Sequence, residues 1–230
     1  MSVKRRKAAP DELLSRSRIR PAEKADSSPM DALLQPNAHY LDRLMRRQSF
    51  QALWPLFAHA TKPAKELTES FSALVHLRPY LKRYPKVRVL HIGDGAHART
   101  GALFALKTRA ENISIDPVTN QQLIQDWINN FQIERLSAIR QRAEDAIPSL
   151  ANQEKLPTML TFVHAHVDTD AVIGALSEVA DVKAAFVLGC CQPGKQFSSR
   201  YPITHEGEDE GVLSPDRHFQ VIEPQQELGE

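Results

Sequence analysis

From residue 86 onward, short β-branched runs alternate with helical stretches of about ten residues, and this alternation constrains the fold more than any other feature of the chain. Val87-Arg88-Val89-Leu90-His91-Ile92 is the first run, and a small-residue helix is predicted from about Arg99 to Lys107. Asn112 to Ile115 is the second run, followed by the amphipathic spacing of Leu123, Ile124, Trp127, Ile128 and Phe131. Further strands are predicted over Arg135–Arg140, Met159–Val163, Ala184–Leu188 and His218–Ile222, with a helix near Asp170–Ala180. Strands of this length separated by helices form βαβ units, so the fold class is α/β with a mainly parallel sheet and helices on both faces. A 42% share of hydrophobic residues in 230 is enough to bury such a core. No stretch reaches the roughly 20 apolar residues of a membrane-spanning helix. Cys190 and Cys191 are adjacent and offer no ordinary disulfide staple, which points to a reducing compartment.

Three segments follow from composition. Residues 1–29 have no apolar period and carry Lys4-Arg5-Arg6-Lys7, so they read as a disordered basic tail without the apolar stretch of a secretory leader. Residues 30–84 place Tyr40, Leu41, Leu44 and Met45, then Leu53, Trp54, Leu56 and Phe57, then Leu67, Phe71, Leu74 and Leu81 at helical spacing, predicting an N-terminal helical cap. Residues 85–230 hold the sheet. The net charge of +1 hides an asymmetry: residues 1–50 hold eleven Lys/Arg against six Asp/Glu, whereas residues 205–230 hold eight acids and one Arg. A basic tail of this kind is either a solubiliser or a contact for a polyanion.

Candidate chemistry gathers at strand ends. Gly93-Asp94-Gly95 follows the first strand, where a glycine turn lets a ligand approach the backbone and a helix N-terminus offers free N–H groups. Asp116 ends the second strand, where nucleotide-binding α/β folds place an acid on ribose hydroxyls. Asp145 follows the third strand, in reach of an adenine amino group, and each acid has a plain alternative as a turn or helix cap. The dinucleotide pattern G-x-G-x-x-G and the Walker lysine are both missing.

This order of glycine turn, second-strand acid and third-strand acid resembles the class I S-adenosylmethionine-dependent methyltransferases over roughly residues 65–225. The resemblance implies a Rossmann-like methyltransferase-type domain with S-adenosylmethionine as cofactor. It implies Gly93, Asp94 and Gly95 around the methionine part, Asp116 on the ribose and Asp145 facing the adenine, with His97 where the family's first motif has its third glycine. His164-Ala165-His166-Val167-Asp168 and Gly189-Cys190-Cys191-Gln192 are similar to a branch with His-x-Cys-Gly-Asp-Leu and Gly-Cys-Cys-Tyr segments, departing from it at His166 and Gln192. The activity implied is methyl transfer to RNA or protein in the cytoplasm; a catalytically inactive scaffold, as in a ribonucleoprotein, is the alternative.

His164, His166, Cys190 and Cys191 end the fourth and fifth strands, which are neighbours in a sheet of that type, so the four are predicted to converge at the ligand-binding rim. A histidine suits the role of general base and a cysteine that of a buried wall or thiolate. Structural packing and a zinc site are the other readings of the four, and no metal is expected. Glu69, on the helix leading into the sheet, reads as part of a solvated charged face or as a reach toward the cofactor. The acidic loop Gly207–Gly211 reads as a hairpin tip with a weak case for a cation site.

Overall fold

Alternate residues of the first strand, β1 (Arg88–Ile92), point to opposite faces of the sheet, Val89 into one apolar cluster and Leu90 and Ile92 into another, as the pleat requires. The same alternation runs through β4 (Pro157–Val163) and β5 (Asp181–Leu188): Met159, Ala184 and Phe186 face one way, Leu160, Ala185 and Val187 the other. Strands buried on both faces read as continuous apolar runs, which is why they are visible in the sequence. The structure is a computed structural model that describes residues 39–46, 50–190 and 196–224. The basic tail and Cys191 lie outside the described residues.

The remaining strands are β2 (Glu111–Ile115), β3 (Leu136–Ile139), β6 (Ile203–Glu208) and β7 (His218–Ile222), and the seven stand in the order β3-β2-β1-β4-β5-β7-β6. The first five are parallel; β7 runs antiparallel to β5, and β6 antiparallel to β7. The chain order reverses beside β1 and β4, so the open ends of these two strands flank the crevice where doubly wound sheets take ligands.

On one face lie α1 (His39–Met45), α2 (Phe50–Ala58), α3 (Pro63–Arg83), α4 (Arg99–Lys107) and α5 (Gln121–Phe131); on the other lie α6 (Ala143–Leu150) and α7 (Thr169–Val179). The helices of the predicted cap share their core with the sheet, since Tyr40, Leu53, Leu67 and Leu77 belong to one cluster with Val89, Phe186 and Phe219. Met45 and Trp54 depart from the expected apolar faces and are 63% and 39% exposed. In these short helices the buried stripes are Tyr40/Leu44 and Leu53/Leu56/Phe57, and the two outliers fall beside them. Among the described residues no helix is long and apolar enough to cross a membrane.

Candidate functional site

Gly93 closes β1 with φ +69° and donates its N–H to the Ile115 carbonyl at 2.9 Å. A Cβ here would sit 2.8 Å from the Ala165 Cβ, so the turn needs glycine both for its backbone and for its space. Gly95 also has positive φ, at +71°, but its missing side chain would meet nothing within 4 Å. Between the two glycines, Asp94 turns inward and accepts the N–H groups of Thr100 and Gly101 at 2.9 Å each, satisfying the orphan donors of α4. Burial pushes the Asp94 carboxyl up to about 6, against the lowering effect of these bonds.

The sequence-predicted acids divide. Asp116 is 9% exposed and accepts the Gly95 N–H at 2.9 Å and the Val118 N–H at 2.8 Å, so it holds the glycine turn from the end of β2. Asp145 stands exposed on the first turn of α6 and does not line the cleft at the glycine turn. His97, in place of a third glycine, stacks on Trp127 with ring centroids 6.2 Å apart.

The cleft has a volume of about 250 Å³ and is bounded by Gly93, Asp94 and Gly95 on one side and by the start of α3 and His164 on the other. Across it lies a cluster that the sequence did not assign. Glu69, only 2% exposed, accepts a bond from Lys65 Nζ at 2.5 Å and from His164 Nε2 at 2.6 Å. The carboxylate is a pure acceptor, so Nε2 carries the hydrogen, and a neutral ring then presents its lone pair at Nδ1. Nδ1 is buried and has no hydrogen-bond partner among the described residues. His164 itself adopts φ +54°, a left-handed backbone that is costly for a non-glycine residue and clusters at functional sites. The solvated-face reading of Glu69 is corrected: α3 is covered on all sides from Leu67 to Leu74, against β4, β5 and α4 as well as the other helices. The i, i+4 spacing of Lys65 and Glu69 is the signal that points to the pair.

His166 separates from His164. Its Nε2 lies 3.0 Å from Cys190 Sγ, and the Gln196 amide donates to the same sulfur at 3.1 Å while its Oε1 accepts the Cys190 N–H at 2.9 Å. β4 and β5 are neighbours as predicted. The residues at their ends nevertheless form two clusters, His164 with Glu69 and His166 with Cys190, because the left-handed His164 backbone and the bonds from α3 hold its ring toward α3. Gln196, six residues beyond Cys190, belongs to no motif that would have marked it in the sequence. Among the described residues no group of three or more His, Cys, Asp and Glu is placed to hold a metal. The acidic loop is also reread: Asp209 is buried and accepts bonds from Tyr40, Ser72 and His76, tying the β6–β7 hairpin to α1 and α3. Burial would raise the Asp209 carboxyl, but these bonds outweigh it and hold it below its ordinary value.

No protein-family model matches the chain, and no curated protein does. Solved structures do. A putative O-methyltransferase from Klebsiella pneumoniae is similar with a TM-score of 0.55 at 9% identity, over 85% of this chain and 99% of the other. Magnesium protoporphyrin IX methyltransferase from Synechocystis PCC 6803, solved with bound S-adenosylmethionine, has a TM-score of 0.47 at 12% identity over 82% and 96% of the two chains. The likeness to the first is one of fold, and the chain has the class I methyltransferase-like, Rossmann-like fold.

Proposed function

We propose that this chain binds S-adenosylmethionine in the cleft at the glycine turn and transfers its methyl group to a macromolecular acceptor, RNA or protein. The observation that carries the reading is the opposition, across one cleft, of a backbone turn braced by Asp116 and a Lys65–Glu69–His164 cluster built on the buried Glu69. The residues fit the cofactor: Gly95 leaves open space beside the turn, and the Lys65–Glu69 and Arg99–Glu66 pairs put both signs of charge on the cleft wall, as an amino-acid zwitterion requires. When bound, the cofactor supplies an electrophilic methyl on a sulfonium.

Gly93, Asp94 and Gly95 shape the wall against the methionine part, Asp116 takes the ribose and Asp145 the adenine edge. Glu69 orients the His164 ring, and His164 takes the proton from the acceptor atom. His166 and Cys190 line the acceptor side of the same sheet edge. The macromolecular acceptor is supported by the positive surplus of residues 1–50.

Calorimetric titration of the full chain with S-adenosylmethionine and with S-adenosylhomocysteine tests the reading. Binding of either is expected, with Asp116→Ala weakening it by about 2–4 kcal/mol through lost charge-assisted bonds. His164→Asn is expected to leave binding in place and lower turnover by about two to four orders of magnitude. Binding without methylation across RNA and protein acceptors would favour the scaffold, and no binding at all would sink the cofactor assignment.

A further inference from the structure

A second recess of about 340 Å³ lies at the opposite end of the sheet from the glycine turn. Val87, just before β1, and Ala110, just before β2, are part of its wall, whereas the glycine turn follows the other end of β1. Its apolar surface comes from Phe71, Leu74, Leu81 and Val87, and its polar surface from Arg43, Arg78, Lys82, Lys107 and Arg109. Among the described residues no Asp or Glu lines it. Arg43, Arg78, Lys82 and Arg109 have no carboxylate within 4.0 Å among the described residues.

The simplest account of these cations is that they complement helix C-termini, since Arg43, Lys82 and Lys107 lie in the last turns of α1, α3 and α4. The magnitudes do not balance. Three helix ends contribute about −0.5 charge each, and the four cations without a carboxylate within 4.0 Å among the described residues, Arg43, Arg78, Lys82 and Arg109, surround the recess. A surplus of roughly two to three positive charges remains, set around an apolar floor. The wall includes the Phe71 and Tyr84 rings beside Leu74, Leu81 and Val87, and a recess of this size, apolar with a few polar groups at its mouth, matches small-molecule sites.

We propose that this recess binds a small organic anion, with a compact apolar body on the Leu74–Val87 floor and a carboxylate or phosphate head among Arg78, Lys82 and Arg109. The site is independent of the cofactor cleft. The test uses the full chain and 1-naphthyl phosphate as probe, with 1-naphthol and inorganic phosphate as its two halves. One-to-one binding of the probe is expected, at least tenfold tighter than either half and weakened by added salt. Arg78→Gln and Arg109→Gln, both at exposed positions, are expected to weaken it about tenfold each, the loss of one charge-assisted bond, with melting temperature unchanged. Full affinity in the double variant, equal binding of inorganic phosphate, or displacement of the probe by a ten-nucleotide oligouridine at lower concentration would each overturn the proposal. Absence of probe binding would overturn it too, as expected if part of the chain itself fills the recess.

Discussion

His91 and Asp94 are three residues apart, the first fully buried and the second half-buried, and are shifted in ways that oppose each other with pH. His91 is fully buried, with Nδ1 2.9 Å from the Thr161 hydroxyl and Nε2 3.2 Å from Asn112 Oδ1, and burial pulls it down to about 4. The folded state therefore binds fewer protons at His91 than the unfolded state between pH 4 and 6.5, and its contribution to stability falls as pH falls through that window. Asp94 does the reverse. Its folded value of about 6 lies above the ordinary carboxylate value of 3.8, so its contribution falls as pH rises between the two. The two slopes nearly cancel in the native protein. Urea unfolding from pH 4 to 6.5 is expected to show the stability gap between native protein and His91→Gln widening with pH, and that between native protein and Asp94→Asn narrowing, each by about 2–3 kcal/mol. Parallel gaps in both variants would mean that neither group is buried as described. The glycine turn offers a second check. Gly93→Ala must fit a Cβ against Ala165 as well as hold positive φ, and is expected to cost about 3 kcal/mol, against about 1 for Gly95→Ala, whose side chain meets nothing. Denaturant midpoints ranked the other way would contradict the geometry. At this scale the sequence revealed the glycine turn and the place of Asp116 at the end of β2, because glycines and strand-end acids carry local meaning. Glu69 was misread because a polar helical residue looks solvated until tertiary packing covers it.

At the scale of elements, the β6–β7 hairpin is fastened to the helices through one carboxylate. Asp209 takes bonds from Tyr40 on α1, Ser72 and His76 on α3, and the N–H of Gly211 within its own loop. Burial and Asp209 together raise the Tyr40 phenol above its ordinary range. Asp209→Ala leaves several buried donors without an acceptor and is expected to cost about 2–4 kcal/mol, whereas Tyr40→Phe removes a single donor and costs about 1. The double variant should cost clearly less than the sum, since the bonds share one hub; strict additivity would show that the network does not act as a unit. The strands buried on both faces were legible as apolar runs, and β1, β2, β4 and β5 fall where their side chains predict. β6 was not. Its residues Ile-Thr-His-Glu-Gly-Glu are all exposed or half-buried, so it carries no core signal, and only its pairing with β7 makes it a strand. The network beneath its tip was equally hidden, because Tyr40 and Asp209 are 169 residues apart.

For the whole molecule, the sharing of one core by the first three helices and the sheet has a measurable result. Leu53, Leu67 and Leu77 pack in the cluster that holds Val89 and Phe186, so no apolar boundary separates the helices from the strands. Hydrogen exchange is expected to protect the central amides of α3 and of β1 with similar opening free energies, within about 1 kcal/mol, as one cooperative unit. A markedly lower value for α3 would mark it as a detachable layer. The order of the strands carries a different consequence, for colloidal behaviour. The sheet is open and ends at β3 and β6, and an unpaired strand edge is a template for joining another chain. β3 limits the hazard by being only four residues long. β6 is longer and is guarded by charge, with Glu206 and Glu208 exposed along its edge and His205 between them and Thr204. Replacing both glutamates by valine would leave a run of Ile, Thr, His, Val, Gly and Val free to pair. Light scattering of that variant at neutral pH should show growth of large assemblies under conditions where the native chain stays dispersed.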